Sequence, residues 1–110
     1  MLRDLPAAIL RRGDKYSLKI QVKLGNEIIT PENCSDIRIK IGNTVLSYSR
    51  QELTFEEGYW LFPLSQAMTL NHSGDRMLAQ AQFKMGDNIY STKLYYFAVE
   101  NSLFKDTWIE

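Results

Sequence analysis

The amino-acid sequence predicts an all-β domain, and three observations lead to this expectation. Apolar and polar residues alternate along several stretches, which is the pattern of a strand with one buried face. Glycines occur singly between these stretches, at Gly25, Gly42, Gly58, Gly74 and Gly86. Only one short stretch, residues 65–71, has the spacing of a helix. Strands joined by tight turns therefore make up most of the predicted chain.

The totals limit the domain organisation and the classes of partner. A chain of 110 residues is expected to form one domain, residues 1–110, and to bury about two thirds of its unfolded surface. Its 13 basic and 13 acidic residues balance, so we expect no nucleic-acid partner. The first residues lack the apolar core of a secretory signal, and no apolar run approaches a membrane-spanning length. We therefore expect no membrane partner either.

The first third of the chain is predicted to contain an N-terminal segment with two alternative structures, followed by a clear strand. Within residues 1–13, the run Ala7 to Leu10 indicates either a first strand or an arm that lies on a neighbouring molecule. Residues 16–24 alternate throughout and predict one continuous strand. Gly25 and Asn26 then form a turn, after which residues 27–30 are expected to pair back briefly.

The middle third is predicted to form further strands and the helix. Residues 36–41 place three isoleucines on one face, and Gly42-Asn43 is a hairpin turn signal before a strand at residues 44–49. The polar region at residues 51–57 is interpreted as a loop. The run at residues 59–62 predicts a fully buried strand that Pro63 closes. Ser65 is expected to cap the helix.

A long hairpin at residues 76–99 is predicted to organise the domain. Its first strand alternates from Met77 to Met85, and its second, residues 89–99, is rich in aromatic and β-branched residues. A three-residue loop would turn Lys93 toward the core, so we expect a two-residue loop, Asp87-Asn88. The pairs expected from this loop are Met85 with Tyr90, Phe83 with Thr92, Ala81 with Leu94, and Ala79 with Tyr96.

This register predicts an apolar patch on the outer face of the hairpin, because several large apolar side chains fall there. The C-terminal tail, residues 101–110, is expected to cover the patch or to dock elsewhere, and an uncovered patch would indicate a partner. The predicted candidate protein interface comprises Leu78, Tyr95, Phe97, Val99, Leu103, Phe104 and Trp108.

About seven short strands separated by turn signals favour an antiparallel β-sandwich of immunoglobulin-like type. The chain cannot form the disulfide of antibody domains, because Cys34 is its single cysteine. A small barrel is the alternative fold. The pattern does not predict the order of the strands.

No pattern in the sequence indicates catalysis or a cofactor. Cys34 and His72 are the single cysteine and the single histidine, and no spacing relates them as nucleophile and base or as metal ligands. Glu52, Glu56 and Glu57 are interpreted as a solvated loop rather than as paired catalytic carboxylates. The sequence also has no glycine-rich phosphate loop. We therefore expect no enzyme, no cofactor and no metal.

The aromatic residues raise an alternative function, a flat platform that stacks against sugars. The aromatics considered for it are Tyr48, Tyr59, Trp60, Tyr90, Tyr95, Tyr96 and Trp108. In the expected register, Tyr90 and Tyr96 face inward, and Trp60 lies in a buried run. A protein interface that uses Tyr95, Phe97 and Trp108 is therefore favoured over a carbohydrate-binding module.

Four segments resemble a known group of proteins: residues 36–42, residues 52–66 with the run Trp60-Leu61-Phe62-Pro63-Leu64, the hairpin at residues 79–92, and residues 101–104. They are similar to small tail-region structural proteins of phages and prophages of Gram-positive bacteria. They also resemble the N-terminal domain of the siphophage baseplate upper protein. Together the segments span most of residues 13–105.

The resemblance implies an immunoglobulin-like fold and a non-enzymatic role in tail or baseplate assembly. It implies other phage structural proteins, or further copies of this chain, as partners. The implied location is the virion tail or baseplate, after synthesis in the cytoplasm of the bacterial host. The chain lacks the long downstream region by which baseplate proteins hold receptor-binding parts, so host recognition is not expected of it.

Overall fold

The computed structural model describes residues 8–11, 15–70 and 74–100. These residues form eleven strands and one helix. The strands are β1 (Ala8–Arg11), β2 (Tyr16–Ile20), β3 (Lys23–Leu24), β4 (Glu27–Ile28), β5 (Asp36–Ile41), β6 (Thr44–Ser47), β7 (Thr54–Glu56), β8 (Tyr59–Leu64), β9 (Arg76–Met85), β10 (Asn88–Ser91) and β11 (Tyr95–Glu100), and the helix is α1 (Gln66–Leu70). The predicted all-β class is confirmed. The helix is not long and apolar enough to cross a membrane.

The strands form two larger sheets and a small ribbon. Sheet A has the order β1-β11-β9-β5-β6, and β10 also pairs with β9. Sheet B has the order β2-β8-β7, and β3 pairs with β4 in the ribbon. Neighbouring strands run antiparallel, except that β1 runs parallel to β11. The segment at residues 8–11 is therefore a strand of its own domain, as one of the two N-terminal predictions had it.

Both sheets contribute to one hydrophobic core. From sheet A, β5 buries Ile37, Ile39 and Ile41 on a single face, as the alternation predicted. From sheet B, β8 buries Trp60 and Phe62 completely. Each large side chain removed from water in this way contributes about 1.5–3 kcal/mol.

Trp60 connects several parts of the chain to this core. Its ring nitrogen Nε1 donates a hydrogen bond of 2.9 Å to the carbonyl oxygen of Ile29, just after the β3-β4 ribbon. The rings of Tyr48 and Phe55 meet the Trp60 ring edge-on, with centroids 5.3 and 5.0 Å away. One side chain thus holds the ribbon, β7 and the end of β6 against the core.

Three local predictions need correction. Residues 16–24 are not one strand, because β2 ends at Ile20 and the carbonyl of Val22 accepts a hydrogen bond from Ile29 across the ribbon. The polar region at residues 51–57 contains strand β7, which pairs with β8. Strand β8 is half buried rather than fully buried, and it continues through Pro63 to Leu64. Pro63 is accommodated because β7 pairs no further than Leu61, so β8 has a single neighbour among the described strands at that point.

The short helix begins where its capping residue predicted. The backbone N–H of Met68 donates to the hydroxyl oxygen of Ser65 over 3.2 Å. Ser65 precedes the first helical residue, Gln66, so it satisfies one of the amide groups that a helix N-terminus leaves without an internal partner.

The long hairpin has a two-residue loop, but its residues are Gly86-Asp87 rather than the predicted Asp87-Asn88. Gly86 has φ of +60°, a conformation that glycine adopts without a steric penalty. Tyr90 consequently lies opposite Phe83 instead of Met85. This shift of two residues keeps every side chain of β10 on its predicted face.

Candidate protein-binding site

The second strand of the hairpin is interrupted by a β-bulge. Thr92 is the last residue in the first register, since its N–H donates to the carbonyl of Ala81 and its hydroxyl oxygen accepts from the N–H of Ala81. The next pair is Tyr95 with Ala79. Lys93 and Leu94 therefore face the single residue Gln80. One extra residue on one strand is the definition of a bulge, and it exchanges the faces of all residues that follow.

The bulge overturns part of the predicted interface. Phe97 and Val99 were expected on the outer face, but they are 5% and 6% exposed and belong to the core. Tyr96 was expected to face inward, but it lies on the outer face opposite Leu78. Tyr95 lies on the inner side at the edge of the core, where it is 43% exposed.

Of the remaining predicted residues, Leu78 is placed on the outer face as expected and is 56% exposed. Leu103, Phe104 and Trp108 lie outside the described residues. The tail that was predicted to cover the patch, residues 101–110, also lies outside them.

We define the outer patch as Arg76, Leu78 and Tyr96 on the outer face of sheet A. The guanidinium carbon of Arg76 lies 4.6 Å from the centroid of the Tyr96 ring, within the range of a cation–π contact. Leu94, in the bulge, is also exposed. Reasoning from the sequence missed Tyr96, because a bulge leaves no local signal unless the neighbouring strand is known.

A second feature, the inner crevice, opens between the segment Leu18–Lys23 and the inner face of sheet A. Its volume is about 240 Å³. Its apolar floor consists of Leu18, Ile39, Ala79, Ala81 and Phe97. The two alanines lie in the centre of β9, opposite Ile41 and Ile39 of β5, and their small side chains leave the space that larger residues would fill.

The mouth of the inner crevice is positively charged. Lys19 and Lys23 line it, and the lining residues in the described chain include no acid. Tyr95 stands at the same opening, and the ammonium nitrogen of Lys93 lies 5.3 Å from the centroid of its ring. The crevice therefore combines an apolar interior with a cationic entrance.

Strand β2 forms one wall of this crevice through its backbone. Leu18 to Ile20 of β2, and Gln21 to Lys23 after it, all line the space, although the side chains of a strand alternate between opposite faces. Consecutive residues line a wall when the strand presents its edge. Among the described strands, β2 pairs with β8 alone, so its other edge borders the crevice.

The centre of the outer face of sheet A is polar and internally hydrogen-bonded. Nε and Nη2 of Arg38 both donate to Oε1 of Gln82. Nε2 of Gln82 donates to the hydroxyl oxygen of Ser91 over 3.2 Å. These side chains satisfy one another across three strands, which is typical of a solvated face.

The residues considered for catalysis are dispersed. Cys34 is buried in the loop before β5, and burial raises the pKa of its thiol above the ordinary value, with the negative charge of Asp36 raising it further. His72 lies outside the described residues. Oε1 of Glu52 accepts a hydrogen bond from the backbone N–H of Ser47. Within residues 8–11, 15–70 and 74–100, no three His, Cys, Asp or Glu side chains lie close enough to hold a metal ion.

The aromatic residues considered for sugar binding occupy separate places. Trp60 is fully buried, and Tyr90 stacks on Phe83 with ring centroids 5.7 Å apart. Tyr59 is exposed and belongs to sheet B, whereas Tyr95 belongs to sheet A and lines the inner crevice. The predicted set is therefore divided between the core and two different sheets.

Searches of protein-family models, of curated proteins and of solved structures found no match to this chain.

Proposed function

We propose that this chain is a non-enzymatic assembly module of a phage or prophage tail or baseplate, which binds other structural proteins or further copies of itself. The tail setting rests on the resemblance of residues 36–42, 52–66, 79–92 and 101–104. We further propose that the fold is an immunoglobulin-like β-sandwich. Two sheets that share one hydrophobic core support this fold type.

The observation that carries the proposal is the outer patch. Leu78 is more than half exposed, and Tyr96 lies directly opposite it. Arg76, which packs on the Tyr96 ring, completes a trio of side chains. Tyrosine and arginine are enriched among the residues that contribute most to protein binding, and an exposed leucine beside them supplies apolar area. This composition suits a protein partner better than it suits a sugar or an anion.

A second feature supports assembly. Among the described strands, β6 pairs with β5 alone, and β10 pairs with β9 alone. Strand β10 thus leaves a backbone edge without a neighbouring strand in the described part of the chain, whereas Glu52 occupies the backbone groups of Ser47 at the end of β6. Such an edge allows a neighbouring protein to continue the sheet without any sequence motif.

The experiment uses phage particles produced from a genome that carries this gene, with the chain either unchanged or altered at Leu78. Gold-labelled antibodies against the chain are expected to mark the tail end of the unchanged particles in electron micrographs. Leu78→Lys is expected to remove the label, because a charge in the outer patch opposes burial against a partner.

Val45→Lys is the matched control, since Val45 is also an exposed apolar residue of sheet A, in β6. It is expected to leave the label in place. Circular dichroism of both purified variants checks that they fold. Unlabelled tails in the unchanged particles would refute the tail setting. Equal labelling of the Leu78→Lys particles would refute the outer patch as the interface.

The alternative proposal, a carbohydrate-binding module, has its own readout. Exposed tyrosines such as Tyr59 and Tyr95 would change their fluorescence when a sugar stacks on them. We expect no change when bacterial wall polysaccharide or a panel of oligosaccharides is added to the full chain. A saturable change would favour the carbohydrate-binding function over the assembly module.

A further inference from the structure

We propose that the inner crevice binds an extended acidic peptide segment of a partner protein, which pairs with the edge of β2 and inserts one large apolar side chain between the sheets. This surface is separate from the outer patch, and the inference does not depend on the tail setting. Three properties of the crevice carry it: its wall, its volume and its charge.

The wall favours a strand over other ligand shapes. Because β2 pairs with β8 along one edge, the N–H and C=O groups of alternate residues point away from β8, and at Leu18–Ile20 this side of the strand borders the crevice. An extended peptide satisfies such groups in the way that β-strand addition does in other complexes. The side chains of an added strand would alternate, so that every second one points toward the apolar floor.

The volume favours one side chain over a whole small molecule. Pockets that enclose a drug-sized ligand usually measure about 300–1,000 Å³, whereas the inner crevice measures about 240 Å³. The floor is apolar, and Ala79 and Ala81 form its centre. A single phenylalanine or leucine side chain from an added strand would fill this space and bury apolar surface on both partners.

The charge selects the kind of peptide. Lys19 and Lys23 line the crevice, and Lys93 stands beside Tyr95 at its mouth. The side chains of an added strand that point away from the floor lie close to this rim. Glutamate or aspartate at those positions would be attracted to these three lysines, whereas lysine would be repelled. The complementary ligand therefore alternates acidic residues with apolar ones.

The test uses a defined probe, a fluorescein-labelled peptide of nine residues in which glutamate alternates with valine around a central phenylalanine. Fluorescence anisotropy with the full chain is expected to give saturable binding with a Kd below about 1 mM. A peptide with lysine in place of every glutamate is expected not to bind. In NMR spectra, the amide signals of Leu18–Lys23 and Tyr95 are expected to shift on addition of the acidic peptide.

Two N-methylated versions of the probe test the strand pairing. Methylating alternate backbone amides blocks one edge of a peptide, and methylating the other alternate set blocks the opposite edge. We expect one version to lose binding and the other to keep it, because only one edge faces β2. If both bind equally, the peptide does not pair with β2, and the proposal is wrong.

Charge reversal tests the rim. The double variant Lys19→Glu, Lys23→Glu is expected to weaken binding of the acidic probe by about tenfold. The double variant Lys40→Glu, Arg50→Glu is the control, since both residues are exposed and neither lines the crevice. It makes the same change of net charge and is expected to leave binding within about twofold. An equal loss of binding in both variants would mean that net charge alone causes the loss, and it would overturn the assigned site.

A second copy of the chain is the competing occupant. Sedimentation velocity of the full chain without peptide distinguishes it from an acidic partner. We expect that any self-association of the chain persists in the Lys19→Glu, Lys23→Glu variant. If the chain self-associates through these lysines and the acidic probe does not compete, the crevice accepts its own copy, and the proposed partner class is refuted.

Discussion

Tyr96 lies directly opposite Leu78 on the outer face of sheet A, while the next residue, Phe97, lies opposite Met77 in the core. This pairing exists because Lys93 and Leu94 together face Gln80. If the same sequence continued in the register of Thr92 with Ala81, Phe97 would lie opposite Arg76, and the side chains of β11 would exchange faces. The bulge thus decides which aromatic residues form the core and which remain available to a partner.

Inserting one alanine between Leu94 and Tyr95 is expected to unfold the chain or to cost more than about 3 kcal/mol of unfolding free energy. The insertion shifts the residues that follow the bulge by one position along β9, so Phe97 and Val99 would turn outward and Tyr96 would turn into the core. Leu94→Ala is the control, because it keeps the bulge and changes an exposed side chain, at a cost within about 0.5 kcal/mol. Urea unfolding measures both, and equal small losses would contradict this role of the bulge.

Phe97→Ala is expected to lower the free energy of unfolding by about 3–5 kcal/mol, because it leaves a cavity in the core. Leu78→Ala, in the neighbouring strand, is expected to change it by less than about 0.5 kcal/mol, because Leu78 is exposed. Urea titrations followed by circular dichroism compare the two variants. A larger loss for Leu78→Ala would reverse the faces assigned to this hairpin.

Trp60→Phe is expected to cost about 2–4 kcal/mol of unfolding free energy. The phenylalanine ring is smaller and has no N–H for the carbonyl of Ile29, which would be left without this donor beside the core. Tyr59→Phe is the adjacent control, since Tyr59 is exposed, and is expected to cost less than about 0.5 kcal/mol. Similar losses at the two positions would show that the hydrogen bond contributes little.

Gly42→Ala and Gly86→Ala separate backbone strain from packing. Both glycines have φ near +60°, so each substitution is expected to cost about 1–2 kcal/mol of strain. A Cβ at Gly42 would also lie 3.3 Å from Cγ of the buried Met77, whereas one at Gly86 meets nothing within 4 Å. Gly42→Ala is expected to cost about 1 kcal/mol more in chemical unfolding. Equal costs would mean that Met77 moves aside without penalty.

The thiol of Cys34 is expected to react slowly with iodoacetamide in the folded protein. Burial and the charge of Asp36 raise its pKa, so less of the reactive thiolate is present at a given pH. Because the pKa is raised on folding, the protonated thiol favours the folded state, and this contribution is lost as the pH rises through the raised value.

Asp36→Asn removes the charge and keeps the side-chain oxygen that accepts hydrogen bonds from Ile37 and Ser49. It is expected to move the pH profile of Cys34 alkylation toward lower pH. Mass spectrometry across a pH series gives the profile, and Cys34→Ser shows the background. A profile that Asp36→Asn leaves in place would exclude Asp36 as a cause of the raised pKa.

The elements that were predicted correctly depend on neighbours in sequence. The isoleucines at 37, 39 and 41 share a face because side chains alternate along any strand. Ser65 caps the helix through a residue three positions later. Gly42-Asn43 forms the predicted hairpin turn, because glycine adopts the positive φ that this loop requires. Each of these features follows from interactions within a few residues.

The sequence by itself determined that the chain folds into strands, where most of them lie and which isoleucines enter the core, since these depend on local backbone preferences and on the period of two. Only the tertiary structure decided the faces of Tyr96 and Phe97, the division of residues 16–24 and the presence of the inner crevice. The bulge depends on how β11 aligns with β9. The crevice depends on the separation of two sheets, and neither relationship is written in a local pattern.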